Sequence, residues 1–220
     1  MSEPVRVPAD LLRRVQAEAG PVRPLPPPWR RVLALAPLGA LLVLGVPAFW
    51  GWRADFARLD SRVAWLLSGL QAMAGLWVLG AALREAVPGR SLSRRALVAT
   101  ALGAAALVVG VTLATAVAAP HPVPPGLWLR FAGECFVPAA LSGVPLVAAA
   151  GWLAARALPT RPALTGALYG LGAGLVSDAG VRLFCWVSDP GHVLVSHGGA
   201  IVVFMALGAA AAMLLERRRG

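Results

Sequence analysis

The chain has 220 residues, 58% of them hydrophobic and 14% charged, with a mean hydropathy of +0.72 and a formal net charge of +10. A water-soluble domain carries about a quarter of its residues charged, so too little polar sequence remains here to cover one. The positive charge is all arginine, 20 residues with no lysine, gathered at the ends of apolar runs, which excludes direct nucleic-acid binding as the first reading of the basic balance.

In chain order, residues 1–30 form a segment of their own. Pro8 to Gly20 reads as one short helix, with proline near its start and glycine just past its end. Leu11, Leu12, Val15 and Ala19 make an apolar stripe beside Arg13 and Arg14, too small to fold alone. Pro21 to Pro28 is a stiff polyproline-type stem. Two readings follow: docking into a partner's groove, which we prefer, or lying on the inner leaflet.

Six apolar runs come next, at about 32–51, 63–83, 96–118, 131–157, 163–186 and 193–215. Each is near the ~20 residues that cross a bilayer. The first follows a polar segment too long for a signal peptide and lacks an A-x-A site, so it is expected to remain as a helix. Pro88-Gly89, Pro120 to Pro125, Pro159, Pro162 and Pro190-Gly191 mark the connections. No stretch inside a run looks non-helical, as lipid-exposed backbone requires. The predicted fold is an all-α integral membrane protein. A six-helix transmembrane domain covers 31–216, and a basic tail covers 217–220.

Arginine counting sets the orientation. Arg6, Arg13, Arg14, Arg23, Arg30, Arg31, Arg84, Arg90, Arg94, Arg95, Arg156, Arg161, Arg217, Arg218 and Arg219 fall on one side, 15 in all. Arg53, Arg58, Arg62, Arg130 and Arg182 fall on the other. The richer side is expected in the cytoplasm, with both termini. Trp50, Trp52, Trp128 and Trp186 then suit the outer interface and Trp29 the inner.

Gly166, Gly170 and Gly174 make a small-residue stripe for close helix packing. Glu134, Asp178 and Arg182 are the ionisable residues placed inside spans, where charge is costly and wants an interior partner. Asp178 and Arg182, four apart, can pair along one helix. An internal salt bridge is preferred to a proton relay, because the inner half offers no acid. Cys135 and Cys185 lie 25 residues before and after Thr160, so two antiparallel helices would hold them at equal depth near the outer surface. They are a disulfide or redox-responsive pair, or two small buried thiols that never meet. His192, His197, Glu134 and Asp189 gather at the same end, and with Cys185 they are types that bind divalent metals. A spacing of five between the histidines is not a helical ligand pair, and loop or cap histidines are the alternative.

Together these segments resemble the NrsF-type family of bacterial membrane anti-sigma factors. The resemblance rests on the stem Pro21-Val22-Arg23-Pro24-Leu25-Pro26-Pro27 with Arg30 and Arg31, then Arg53-Ala54-Asp55-Phe56 and Pro88-Gly89-Arg90. It continues through Cys135, the stretch Leu158 to Gly166, and Cys185. It implies a non-enzymatic, multi-pass protein of the bacterial inner membrane. Its cytoplasmic parts would sequester an extracytoplasmic-function sigma factor, and its outer cysteine pair would take part in stress sensing. Docking then falls within residues 1–30. The chain departs from the family where Asp189-Pro190-Gly191-His192 and Ser196-His197-Gly198-Gly199 replace an expected aromatic segment. No cofactor is predicted beyond a divalent metal at those histidines, and oligomeric state is not readable. The alternatives are a small transporter or channel, which would need polar residues through the midplane, and a thiol oxidoreductase, which would usually carry C-x-x-C.

Overall fold

A computed structural model describes residues 8–18, 24–124 and 127–218, and among them there are helices and connections but no strand. In chain order the helices are α1 (Ala9–Glu18), α2 (Pro28–Trp50), α3 (Phe56–Leu59), α4 (Ser61–Glu85), α5 (Arg94–Ala118), α6 (Trp128–Ser142), α7 (Val144–Ala155), α8 (Pro162–Val181), α9 (Pro190–Val193) and α10 (Gly199–Arg217).

Starts and stops follow local chemistry. Pro28 and Pro162 open α2 and α8 at a position whose amide has no intrahelical partner anyway. Asp60 accepts a hydrogen bond from the Arg62 amide at 2.9 Å to open α4, and Ser93 does the same for Ala96 at α5. Gly51 ends α2 with φ +104°, a conformation only glycine adopts without strain.

Three runs depart from continuous helix. The run expected at 131–157 breaks at Gly143 into α6 and α7, because Gly143 sits against the Phe204 ring and Pro145 removes a backbone donor. The run expected at 163–186 leaves the helix after Val181 and continues as turns and extended chain. The run expected at 193–215 begins with α9 and one π turn, Leu194–Gly198, before α10.

Among the described residues five helical stretches are long and apolar enough to cross a membrane: Pro28–Trp50, Ser61–Glu85, Arg94–Ala118, Arg130–Ala155 and Pro190–Arg217. The fifth expected span, 163–186, holds α8, which is not among these five. Its residues explain why. From Thr165 to Leu183 every residue except Ala167 is buried, so α8 is the axis of the bundle and meets protein on all sides. Such a helix needs small residues more than lipophilic ones. A Cβ at Gly166 or Gly170 would overlap the α10 backbone at Gly208 or Phe204, and one at Gly174 would press on Ile201. On another face Gly172 lies against Gly75 of α4, and Gly180 meets α2 at Leu42 and Val43. The outer helices turn large apolar side chains outward instead, including Phe49, Trp77, Leu102, Val117, Trp152 and Val202.

One end of the bundle carries the starts of α2, α5 and α8 with most of the arginines; the other carries the ends of α2, α5 and α8 with both cysteines.

Candidate functional site

The site forms where α8 runs out. Arg182 to Phe184 turn the chain, and the Cys185 amide still bonds the Val181 carbonyl at 2.7 Å, which fixes the thiol just beyond the helix. Cys135 comes from the second turn of α6. Both are buried and unbridged, and their sulfurs lie 2.9 Å apart. Asp189 caps α9 by accepting from the His192 amide at 2.9 Å, and this brings His192 Nε2 to 3.6 Å from Cys185 Sγ. The π turn then carries His197 inward, its ring 6.0 Å from that of His192. Cys135, Cys185, His192 and His197 are all buried, and one ligand atom from each lies within 4.8 Å of all the others.

Behind this cluster runs a polar network through helices that would otherwise be apolar. His197 Nδ1 and Asp178 Oδ1 are 2.6 Å apart. Asp178 Oδ2 takes Arg182 Nε at 3.0 Å and also accepts from the Gln71 amide of α4. Arg182 Nη2 donates to Thr112 of α5 at 3.0 Å. Arg53 chelates Asp55 at 2.6 and 2.9 Å and donates to the Arg182 carbonyl. Buried charges persist only when paired in this manner. Four atoms in the region are exceptions: Gln71 Oε1, His192 Nδ1, His197 Nε2 and Ser196 Oγ are buried without a hydrogen-bond partner.

Glu134 and Asp189, expected as metal ligands, are not in the cluster. Glu134 is exposed on α6 and pairs with Arg130, one turn back, at 3.2 Å; its position on the outer face of α6 also corrects its expected place inside the bundle. Asp189 spends its carboxylate on the α9 cap. The reading of the inner half as free of acid needs correction too, because α4 extends to Glu85, which is fully buried. Glu85 accepts from the Leu92 amide at 2.6 Å and from Arg161 Nε at 2.7 Å. Nearby, buried Arg31 donates to the carbonyls of Leu83 and Leu153 at the ends of α4 and α7, where helix dipoles favour a cation. Between Thr165 and Ser177 the only polar side chain on α8 is Tyr169, whose hydroxyl donates to the Gly208 carbonyl at 2.8 Å. The two polar ends are therefore not joined along the bundle axis.

Gln71, Thr112 and Glu85 escaped the sequence reading. The first two are uncharged and pass unnoticed in an apolar run, while Glu85 sits at a helix end where charge is ordinary.

On α1, Leu11, Leu12 and Val15 are exposed, with no residue of the helix buried. Arg13 bonds back to the Ala9 carbonyl at 3.3 Å and Arg14 is exposed. Ala19 of the expected stripe, Gly20 and the first three residues of the expected stem, Pro21 to Arg23, lie outside the described residues.

The profile of the NrsF family, described as negative regulator of sigma F, matches residues 16–217. The chain belongs to the NrsF family. No curated protein and no solved structure matches it. The family's description makes negative regulation of a sigma factor the activity to be explained, and its match spans α2 to α10 with both cysteines and both clustered histidines.

Proposed function

We propose that the chain is a six-span anti-sigma factor of the bacterial inner membrane with both termini in the cytoplasm. It holds an extracytoplasmic-function sigma factor there and lets it go when conditions change at the periplasmic face. The observation that carries this reading is the meeting of Cys135 and Cys185 at 2.9 Å, at the end of the bundle opposite the start of α2, which the exposed Leu11–Leu12–Val15 stripe precedes in the chain. In a family defined by sigma-factor regulation, a reactive pair at one end and an unpartnered amphipathic helix at the other divide the work into sensing and holding. The arginine asymmetry puts the holding end inside. Bound sigma factor would cover the leucine stripe, which in the chain alone faces solvent.

The test uses the full chain and the sigma factor encoded beside it. Membranes carrying the parent chain should retain that sigma factor, and the triple variant Leu11→Asp, Leu12→Asp, Val15→Asp should retain at least about tenfold less, in line with loss of a central apolar anchor worth about 2 kcal/mol or more. Transcription from the sigma factor's promoters should rise in step. If deleting the whole chain leaves that transcription unchanged, the reading fails. Orientation is checked separately: membrane-impermeant maleimide should reach the thiols in intact spheroplasts after reduction and not from the cytoplasmic face of inverted vesicles.

A further inference from the structure

We propose that Cys135, Cys185, His192 and His197 form a four-ligand site for a zinc-like soft divalent cation, and that Asp178 orients His197 for it.

Donor chemistry comes first. Two thiolates and two imidazoles are the set that selects tetrahedral Zn²⁺. Bonds of about 2.3 Å to sulfur and about 2.0 Å to nitrogen place tetrahedral ligand atoms roughly 3.3–3.8 Å from one another. The four donors already lie within 4.8 Å of one another, and His192 Nε2 stands 3.6 Å from Cys185 Sγ. The two sulfurs, at 2.9 Å, must move apart, and donor pairs near the 4.8 Å limit must close by about 1 Å.

Unused valence is the second argument. Nδ1 of His197 is taken by Asp178 at 2.6 Å, which leaves Nε2, the atom beside Cys185, buried with no hydrogen bond of normal geometry. An orphaned buried ring nitrogen costs about 1–3 kcal/mol, whereas a nitrogen facing a cation is satisfied. The carboxylate–histidine–metal arrangement is the usual way a protein fixes the tautomer of a ligating imidazole.

Charge balance is the third. A divalent cation with two thiolates and two neutral imidazoles has no net charge, and Asp178 with Arg182 at 3.0 Å has none either. The site can thus be buried without an uncompensated charge. Binding takes up one M²⁺ and releases the two thiol protons to solvent. No oxidant is needed.

The ligands come from α6, from the chain just past α8, from α9 and from the π turn that opens α10. A bound cation would staple these ends, and its loss or replacement would free them. That regulatory consequence rests on the anti-sigma reading; the binding site itself does not.

The experiment takes the full chain purified in detergent with its sigma factor bound. Zinc content should be one per chain, with both thiols protected from a disulfide-exchange reagent until chelator is added. Co²⁺ in place of Zn²⁺ should give intense tetrahedral d–d absorption with thiolate charge transfer. His192→Ala and His197→Ala should each lower Zn²⁺ affinity at least tenfold, and Asp178→Asn by 10–100-fold with the Co²⁺ spectrum kept. Glu134→Gln and Asp189→Asn should bind as the parent does. The proposal is overturned if the parent chain holds no more zinc than its Cys135→Ser, Cys185→Ser double variant, or if its thiols react freely without chelator. Sigma factor retained without metal removes the site alone; metal bound without sigma factor removes the regulatory reading alone.

Discussion

The two ends of the bundle handle buried charge in opposite ways. At the arginine-rich end Glu85 is closed by the Leu92 amide and Arg161, and Arg31 is closed by two helix-terminal carbonyls. At the thiol end Asp178 is equally well held, but around it Gln71 Oε1, His197 Nε2, His192 Nδ1 and Ser196 Oγ are buried without partners. The first end closes its buried charges, although the Thr165 hydroxyl near the start of α8 is buried without a partner. The second is a frame with unpartnered polar atoms beside a cluster in which one ring nitrogen each of His192 and His197 lies within 4.8 Å of both sulfurs. Since burying an unpaired polar atom is costly, the contrast supports the thiol end as the one where the proposed cation would be held.

The largest effect that would test this contrast comes from Asp178→Ala. It strips Arg182, His197 and Gln71 of one shared partner, and removing one member of a buried ion pair costs about 3–5 kcal/mol. Thermal unfolding of the purified chain in detergent should show the greatest loss of stability of any single substitution proposed for either end. A loss below about 1 kcal/mol would mean that the network is not buried as described. Arg31→Ala should follow, at about 1–3 kcal/mol for leaving two buried carbonyls with one partner fewer. It should leave zinc affinity untouched, because no polar path joins Arg31 to the thiols.

What could be read in advance divides along the same physical line. Long apolar helices of a length to cross a membrane leave a plain hydropathy trace, so the positions of the runs and the Pro-Gly connections were legible. Counting from Thr160 likewise put both cysteines at one depth. Lipid imposes nothing on a helix that never meets it, so hydropathy could not mark α8 as the axis. The clue was glycine on more than one face, with Gly172 toward α4 as well as Gly166, Gly170 and Gly174 toward α10. The histidines were discounted for a spacing that does not suit an α-helix. The segment after His192 instead winds through a π turn, whose wider repeat returns the fifth residue toward the face of the first. A π turn has no residue signature, so that step could not be read from the sequence.

The smallest effect is the sharpest test of where the site's boundary lies. Glu134 adjoins Cys135 in sequence and is an acid near two thiols and two histidines, so proximity along the chain argues for a ligand. The helix argues otherwise: consecutive residues on α6 point about 100° apart, and with Cys135 turned inward Glu134 is left on the outer face, where it meets only Arg130. Exposed pairs of this kind contribute about 0–1 kcal/mol. Glu134→Gln should therefore change the apparent melting temperature by no more than a degree or two and leave metal stoichiometry and thiol protection as they were. A tenfold loss of zinc affinity in that variant would move the carboxylate into the coordination sphere, which α6 could supply only by unwinding its second turn.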